Sequence, residues 1–310
     1  ILIVLSFFVP FLIYLFTMAP TVSLWDCGEF IATSIILGVP HPPGTPLYLI
    51  ISNFFSQLPF FNDLGARVNL VSPIASALSV MFLYMSIVYL IEEIKNDKDD
   101  KISTYLASFI GAITFSITDA HWFNAVESEV YALSTFFTSA VVWLILRWAK
   151  KIDAPNQLKY LLFISYLIGL AIGIHLLNLL AIPFIGLIIF FKYNTKLKTK
   201  INSTNILILI ISTGLSFLII YKGLIKGLPS IANKIGNPNI LYLFFIVTII
   251  AAIISNLNLK SLNFGFNNKL IKHISIICFA FCLLFITINE LWIKSYGDVL
   301  IEQNRNIKGY

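Results

Sequence analysis

Long apolar runs separated by short polar breaks dominate this chain. A helix crosses the hydrocarbon core of a bilayer with about 20 such residues, because each adds only about 1.5 Å of rise. The runs predict spans near 1–18, 66–92, 103–118, 129–148, 158–174, 176–191, 204–221, 239–257 and 272–290. The fifth and sixth come from one stretch, Tyr160 to Phe191, whose 32 residues exceed one span and suffice for two short ones. His175 and Asn178 stand where such a hairpin turns.

The segment Ala19–Gly65 breaks the rhythm. It holds two apolar pieces too short to cross, Phe30–Val39 and Leu47–Leu58, which predict helices lying in the interface. Pro40, Pro42, Pro43 and Pro46 are expected to separate them, since proline lacks the donor that a helix interior needs. Asp63 is expected to cap the second span.

Composition turns this pattern into a fold class. Of 310 residues, 58% are hydrophobic and 12% charged. A soluble domain averages about 25% charged residues to face water. Too little polar surface remains here, so lipid must be the main solvent. The expectation is an all-α integral membrane protein of about nine transmembrane helices. Residues 1–290 would form the membrane domain, and 291–310 would begin an outer C-terminal region. The chain opens at Ile1 without methionine and stops at Tyr310 without a structural boundary, which reads as part of a longer protein. Ile1–Phe16 reads as a first membrane helix, because neither a basic start nor a small-residue cleavage site frames it as a signal peptide.

Charge sets the orientation. With the first loop outside, the inner loops hold Lys95, Lys98, Lys101, Arg147, Lys150, Lys151, Lys159, Lys192, Lys196, Lys198, Lys200, Lys260, Lys269 and Lys272, fourteen of the 21 basic residues. Basic residues collect on the cytoplasmic side. A single span over 160–191 would break this alternation. The net charge of +6 comes with no basic patch interleaved with aromatics, so no nucleic-acid partner is expected. Cys27, Cys278 and Cys282 lack metal-ligand spacing and read as small packing residues.

The polar residues are gathered, not scattered. Asp26 and Glu29 lie in the first outer loop, and His41 follows in Pro40-His-Pro-Pro-Gly44. His121, Glu127 and Glu129 lie in the second outer loop, Thr118–Tyr131, and His175 and Asn178 mark the third. The orientation puts all three loops on one face, as a catalytic mouth at a membrane surface requires. Plainer readings stand beside this one. Asp26-x-x-Glu29 and Asn124-x-x-Glu127 both have capping-box spacing. Glu129 would be a solvated first-turn residue, His41 a turn residue bound to backbone, and His175 a partner for the hairpin's free carbonyls. Gly169 and Gly173 have the spacing of close helix packing.

The segments Pro20-Thr-Val-Ser-Leu-Trp-Asp-Cys-Gly-Glu29 and Leu37-Gly-Val-Pro-His-Pro-Pro-Gly-Thr-Pro-Leu-Tyr48 resemble a bacterial family of polytopic membrane proteins. That family was long of unknown function, and its eukaryotic relatives are protein O-mannosyltransferases. Asn124-Ala-Val-Glu-Ser-Glu-Val-Tyr131 and Gly173-Ile-His-Leu-Leu-Asn178 resemble its later outer motifs, so the likeness runs from Pro20 to about Pro183. The resemblance implies a GT-C-like glycosyltransferase in a bacterial inner membrane, with its active site facing the periplasm. Its donor would be a polyprenyl-phosphate-linked, mannose-like sugar, and its acceptor a hydroxyl of an exported protein or a glycan. Asp26 would be the base, with Glu29 steering it or placing the acceptor. His41, His175 and Asn178 would meet the phosphate, while Gly44, His121, Glu127 and Glu129 complete the donor pocket. No cofactor is required, although a divalent metal at Asp26 and Glu29 is an alternative. A transporter or flippase would instead carry ionisable residues near the bilayer midplane, and a non-catalytic scaffold would use the outer motifs to bind a partner.

Overall fold

A computed structural model describes residues 1–41, 44–94, 101–154, 157–197 and 201–235. The expected spans 239–257 and 272–290, the region 291–310, and His273, Cys278 and Cys282 lie outside the described residues, as do Pro42 and Pro43. Among the described residues all regular structure is helical.

Helix α1 covers Leu2–Thr17, α2 Cys27–Ile36, α3 Pro46–Ser56, α4 Leu64–Asn69 and α5 Val71–Ile94. Then come α6 (Lys101–Ser116), α7 (Asp119–Ala125), α8 (Val130–Lys150) and α9 (Leu158–Ile172). A 3₁₀ turn at Leu176–Leu180 leads into α10 (Ala181–Leu197). Helix α11 (Ser203–Leu218) passes through a π-helical stretch, Ile219–Gly227, into α12 (Leu228–Ile235). Among the described residues, four stretches are long and apolar enough to cross a membrane: Leu64–Ile94, Val130–Lys150, Leu176–Lys196 and Ser203–Gly227. Helices α1 and α6 have 16 residues each and α9 has 15, so each rises less than a full hydrocarbon thickness. The stretch 160–191 does break in two, with α9 ending at Ile172 and the next turn starting at Leu176.

The described residues fall into two compact units. The first takes Ile1–Arg147 with Leu170–Asn178, and the second takes Trp148–Gly169 with the described residues from Leu179 to Ile235. In the first, α1, α5 and α6 pack against one another. The buried face of α5 is built from small residues, including Ser72, Ala75, Ser76, Ala77 and Ser79, which let helix backbones approach closely. Helices α2, α3 and α4 pack together beside them. Pro46 does not separate the two short helices as expected. It opens α3, where the missing N–H costs nothing. Asp63 caps as expected, its Oδ1 accepting the Ala66 N–H at 3.0 Å. In the second unit α10 packs on α11, and Lys196 pairs with Asp153 at 2.9 Å.

Candidate active site

The loop that leaves α1 is tied almost at once to the loop between α7 and α8, where the Ala19 N–H donates to the Val126 carbonyl at 2.8 Å. Trp25 then turns the chain through the left-handed region, φ 58°, with its side chain exposed. That conformation costs a non-glycine residue roughly 1–2 kcal/mol. It falls immediately before Asp26, and such strain gathers at functional sites.

Asp26 occupies the N-cap position of α2 yet makes no side-chain cap bond. Glu29 does not reach back to it. Its two carboxylate oxygens instead accept from His41, one from the backbone N–H at 2.6 Å and one from ring Nδ1 at 2.8 Å. The capping-box spacing is therefore not used for capping. Donor atoms of Asp26, Glu29 and His41 all lie within 4.8 Å of one another. The Glu29 hydrogen bond raises the His41 pKa above the usual histidine value, helped by the charges of Glu29, Asp26 and Glu129. This favours an imidazolium beside two carboxylates. Gly44, at φ 70°, closes the turn after His41 by donating its N–H to the His41 carbonyl at 3.0 Å.

The second loop supplies Glu129, which is buried rather than solvated. Burial first, then the charges of Asp26 and Glu127, push its pKa up to about 7. Glu129 donates its own N–H to the Glu127 carbonyl at 2.9 Å, which closes a tight turn around Ser128. Glu127 is buried and accepts from the Ser23 hydroxyl. Asn124 caps nothing either, since its amide donates to the Ala120 carbonyl at 2.7 Å inside α7.

The third loop approaches through two contacts. Leu47 at the start of α3 donates its N–H to the Gly173 carbonyl at 3.0 Å, and the His175 ring lies 5.2 Å from that of Tyr131. His175 is half-buried, and burial lowers its pKa. Asn178 is engaged internally: its amide donates to the Ala171 and His175 carbonyls, and its oxygen accepts from Thr138. It holds the turn and leaves no donor for a phosphate.

His121 lies in α7 and is buried. Its ring packs 4.4 Å from Phe115 and 6.0 Å from Tyr14, and burial lowers its pKa to about 4. Its surroundings are those of a buried, neutral imidazole.

Three residues that the motifs did not single out build the floor of this region: Ser23, Asn69 and Ser128. Asn69 is fully buried and uses its whole side chain. Its amide donates to the Ala19 and Thr21 carbonyls at 2.8 and 2.9 Å, and its oxygen accepts from Ser128 and from the Cys27 thiol. A lone asparagine entering a long apolar run is the signal that could have found it.

Carboxylate and imidazole donors at this spacing suit a divalent cation. Both Glu29 oxygens, however, already accept from His41, so a cation would have to displace that pairing.

Residues 26–199 match the family model described as the N-terminal domain of the protein O-mannosyl-transferase TMEM260. The chain is 27% identical over 195 residues to the protein O-mannosyl-transferase tmem260 of Dictyostelium discoideum, covering 59% of this chain and 22% of that protein. It is 24% identical over 160 residues to the Mus musculus protein O-mannosyl-transferase TMEM260, covering 52% of this chain and 21% of that protein. The chain thus spans about a fifth of the length of these relatives. No solved structure matches. With four helices of spanning length, the likeness makes this an integral membrane protein.

Proposed function

The chain belongs to the family of the protein O-mannosyl-transferase TMEM260 N-terminal domain, and from that premise we propose that it is a GT-C-like membrane glycosyltransferase. It moves a mannose-like sugar from a polyprenyl-phosphate donor to a hydroxyl, foremost Ser or Thr of an exported protein, on the non-cytoplasmic side. One observation carries this reading. Asp26, Glu29 and His41, from two separate motifs, bring their reactive atoms within 4.8 Å of one another, outside the long apolar helices.

A lipid-phosphate sugar holds its reacting carbon at the membrane surface, so the catalytic groups belong in loops at that surface. Asp26, exposed and free of a capping duty, takes the proton of the acceptor hydroxyl. The acceptor oxygen bonds to the anomeric carbon as the bond from that carbon to the phosphate oxygen breaks, and polyprenyl phosphate departs. His41, held by both oxygens of Glu29 and biased toward its charged form, offers a cation to the departing phosphate. Glu29 therefore acts through His41 rather than on the acceptor directly. Glu129, with its pKa near 7, can donate a hydrogen bond to a sugar hydroxyl, and His175 on Tyr131 borders the same side. Gly44 shapes the His41 turn, while Glu127 and Asn178 hold loops in place. Fourteen of the 21 basic residues lie in the loops assigned to the cytoplasm, which supports an outward-facing site.

A transporter would place its ionisable groups along a path through the helices. The groups gathered here sit between helices or at their ends, which favours surface chemistry.

The test is transfer of labelled mannose from polyprenyl-phosphate mannose to a Ser/Thr-rich acceptor by membranes holding the full-length protein. Asp26→Asn is expected to lower kcat on the order of 10²-fold, the scale lost with a general base. Near-wild-type transfer by a folded Asp26→Asn protein would remove Asp26 from the mechanism.

A further inference from the structure

We infer that Asn69 is the positioning residue of this site, holding the two acid-bearing loops in register from beneath. The inference rests on the reading of Asp26 as the base. Asparagine offers two N–H donors and an oxygen with two lone pairs, and here all four are spent on the two outer loops. The donors go to the Ala19 and Thr21 carbonyls, which fixes the chain as it enters the first loop. The oxygen accepts from the thiol of Cys27, the residue after Asp26, at 3.8 Å, and from the hydroxyl of Ser128. Ser128 sits between Glu127 and Glu129 in the turn closed by the 2.9 Å bond between those two residues. One amide oxygen thereby links the side chain that follows Asp26 to the side chain between both glutamates.

Asn69 adds to the two direct ties between these loops, Ala19 to Val126 and Ser23 to Glu127, a third that is anchored outside both. Asn69 lies 42 residues from Cys27 and 59 from Ser128, so both contacts are made by the fold and not by local structure. Asn69 ends α4, whose own start is pinned by the Asp63 cap, and the packed helix α5 follows. The amide is thus carried on a rigid element rather than on either loop. With Asn69 fully buried, no water can replace a lost bond, and an apolar substitute strands two carbonyls and a hydroxyl. A shift of about 1 Å in a catalytic group costs on the order of 10²-fold in rate.

The experiment has two arms on the full-length protein. In a background where every cysteine except Cys27 is replaced by serine, Cys278 and Cys282 among them, N-ethylmaleimide labelling of Cys27 is followed with and without Asn69→Leu. Labelling is expected to be slow with asparagine and about tenfold faster or more with leucine, and equal rates would overturn the inference. In the transfer assay, Asn69→Leu is expected to lower kcat per folded molecule about tenfold to a hundredfold, with KM for donor and acceptor within about threefold. Ser128→Ala, which removes one of the four bonds, should show a smaller loss of the same kind. It decides the question if Asn69→Leu does not fold. Unchanged kcat per folded molecule in these variants, with only the yield of folded protein reduced, would make Asn69 a stability residue and overturn the positioning role. Should wild-type protein transfer no sugar, the functional reading falls and the positioning role falls with it, and the labelling arm then reports only whether Asn69 holds the two loops together.

Discussion

Two loop segments are spelled alike and built differently. Asp26-x-x-Glu29 and Asn124-x-x-Glu127 share one spacing, and in both the glutamate ignores the residue three before it. Glu29 turns outward to a histidine twelve residues on and holds it with both oxygens, in a half-exposed pair. Glu127 turns inward to the Ser23 hydroxyl and is almost wholly buried. The first arrangement leaves charge where a ligand can reach it. The second spends a carboxylate on joining two loops. A carboxylate's partner and its burial, rather than its spacing, separate a reactive group from a structural one.

The sharpest way to break this contrast is to remove the outward pair. His41→Gln and Glu29→Gln should each lower transfer by about tenfold or more, and the double variant should lose little beyond the single ones, since the two act as a unit. Additive losses would separate their roles. The pH profile gives a second check. The Glu29 bond is the largest cause of the raised His41 pKa, so transfer that needs the imidazolium falls as pH rises through that raised value. Glu29→Gln should move the falling limb to lower pH. Because Glu29 is committed to His41, EDTA is expected to leave transfer unchanged, and a loss restored by one divalent cation would reassign these residues as its ligands.

How much of this was legible beforehand follows from range. Runs of about 20 apolar residues marked the long helices, because spanning a membrane is a demand on contiguous sequence. Short helices between prolines also showed, and so did the break near His175. The motif residues Asp26, Glu29 and His41 stood out as polar groups in an apolar chain. What did not show was pairing. An Asp-x-x-Glu spacing fits a cap and a site equally, and only the fold brings His41 onto Glu29. The type and loop of His121 marked it as a candidate, but not its burial against Phe115 and Tyr14, which only the fold shows. Asn69 was missed because all its partners are distant in sequence.

The inward side of the comparison can be probed through Glu129. Its pKa is raised to about 7, so between the ordinary carboxylate range and pH 7 the native protein binds a proton that the unfolded chain has released. Stability from this group is therefore present below the ordinary carboxylate value and declines as pH rises through about 7. Glu129→Gln should remove that decline. The variant is expected to match wild type near pH 4.5 and to exceed it at pH 8, by on the order of 1–3 kcal/mol, in thermal unfolding of detergent-purified protein. A variant less stable than wild type at pH 8 would mean that ionised Glu129 is held by a favourable partner. Transfer should fall in the same variant only if the carboxyl's proton or charge is used on substrate.

The smallest effect belongs to Asn124, the residue whose spacing to Glu127 looks most like a cap. Its amide bonds to the Ala120 carbonyl one turn back in α7, in an exposed position, and touches neither Glu127 nor the start of α8. Loss of an exposed bond of this kind changes stability by only about 0.5 kcal/mol. Asn124→Ala is therefore expected to keep unfolding within that margin and transfer within about twofold. A true N-cap would cost about 1 kcal/mol and fray the start of the fourth span. Hydrogen exchange at the first amides of α8 separates the two outcomes. Faster exchange there in Asn124→Ala would return Asn124 to the capping role and erase the distinction between the two look-alike segments.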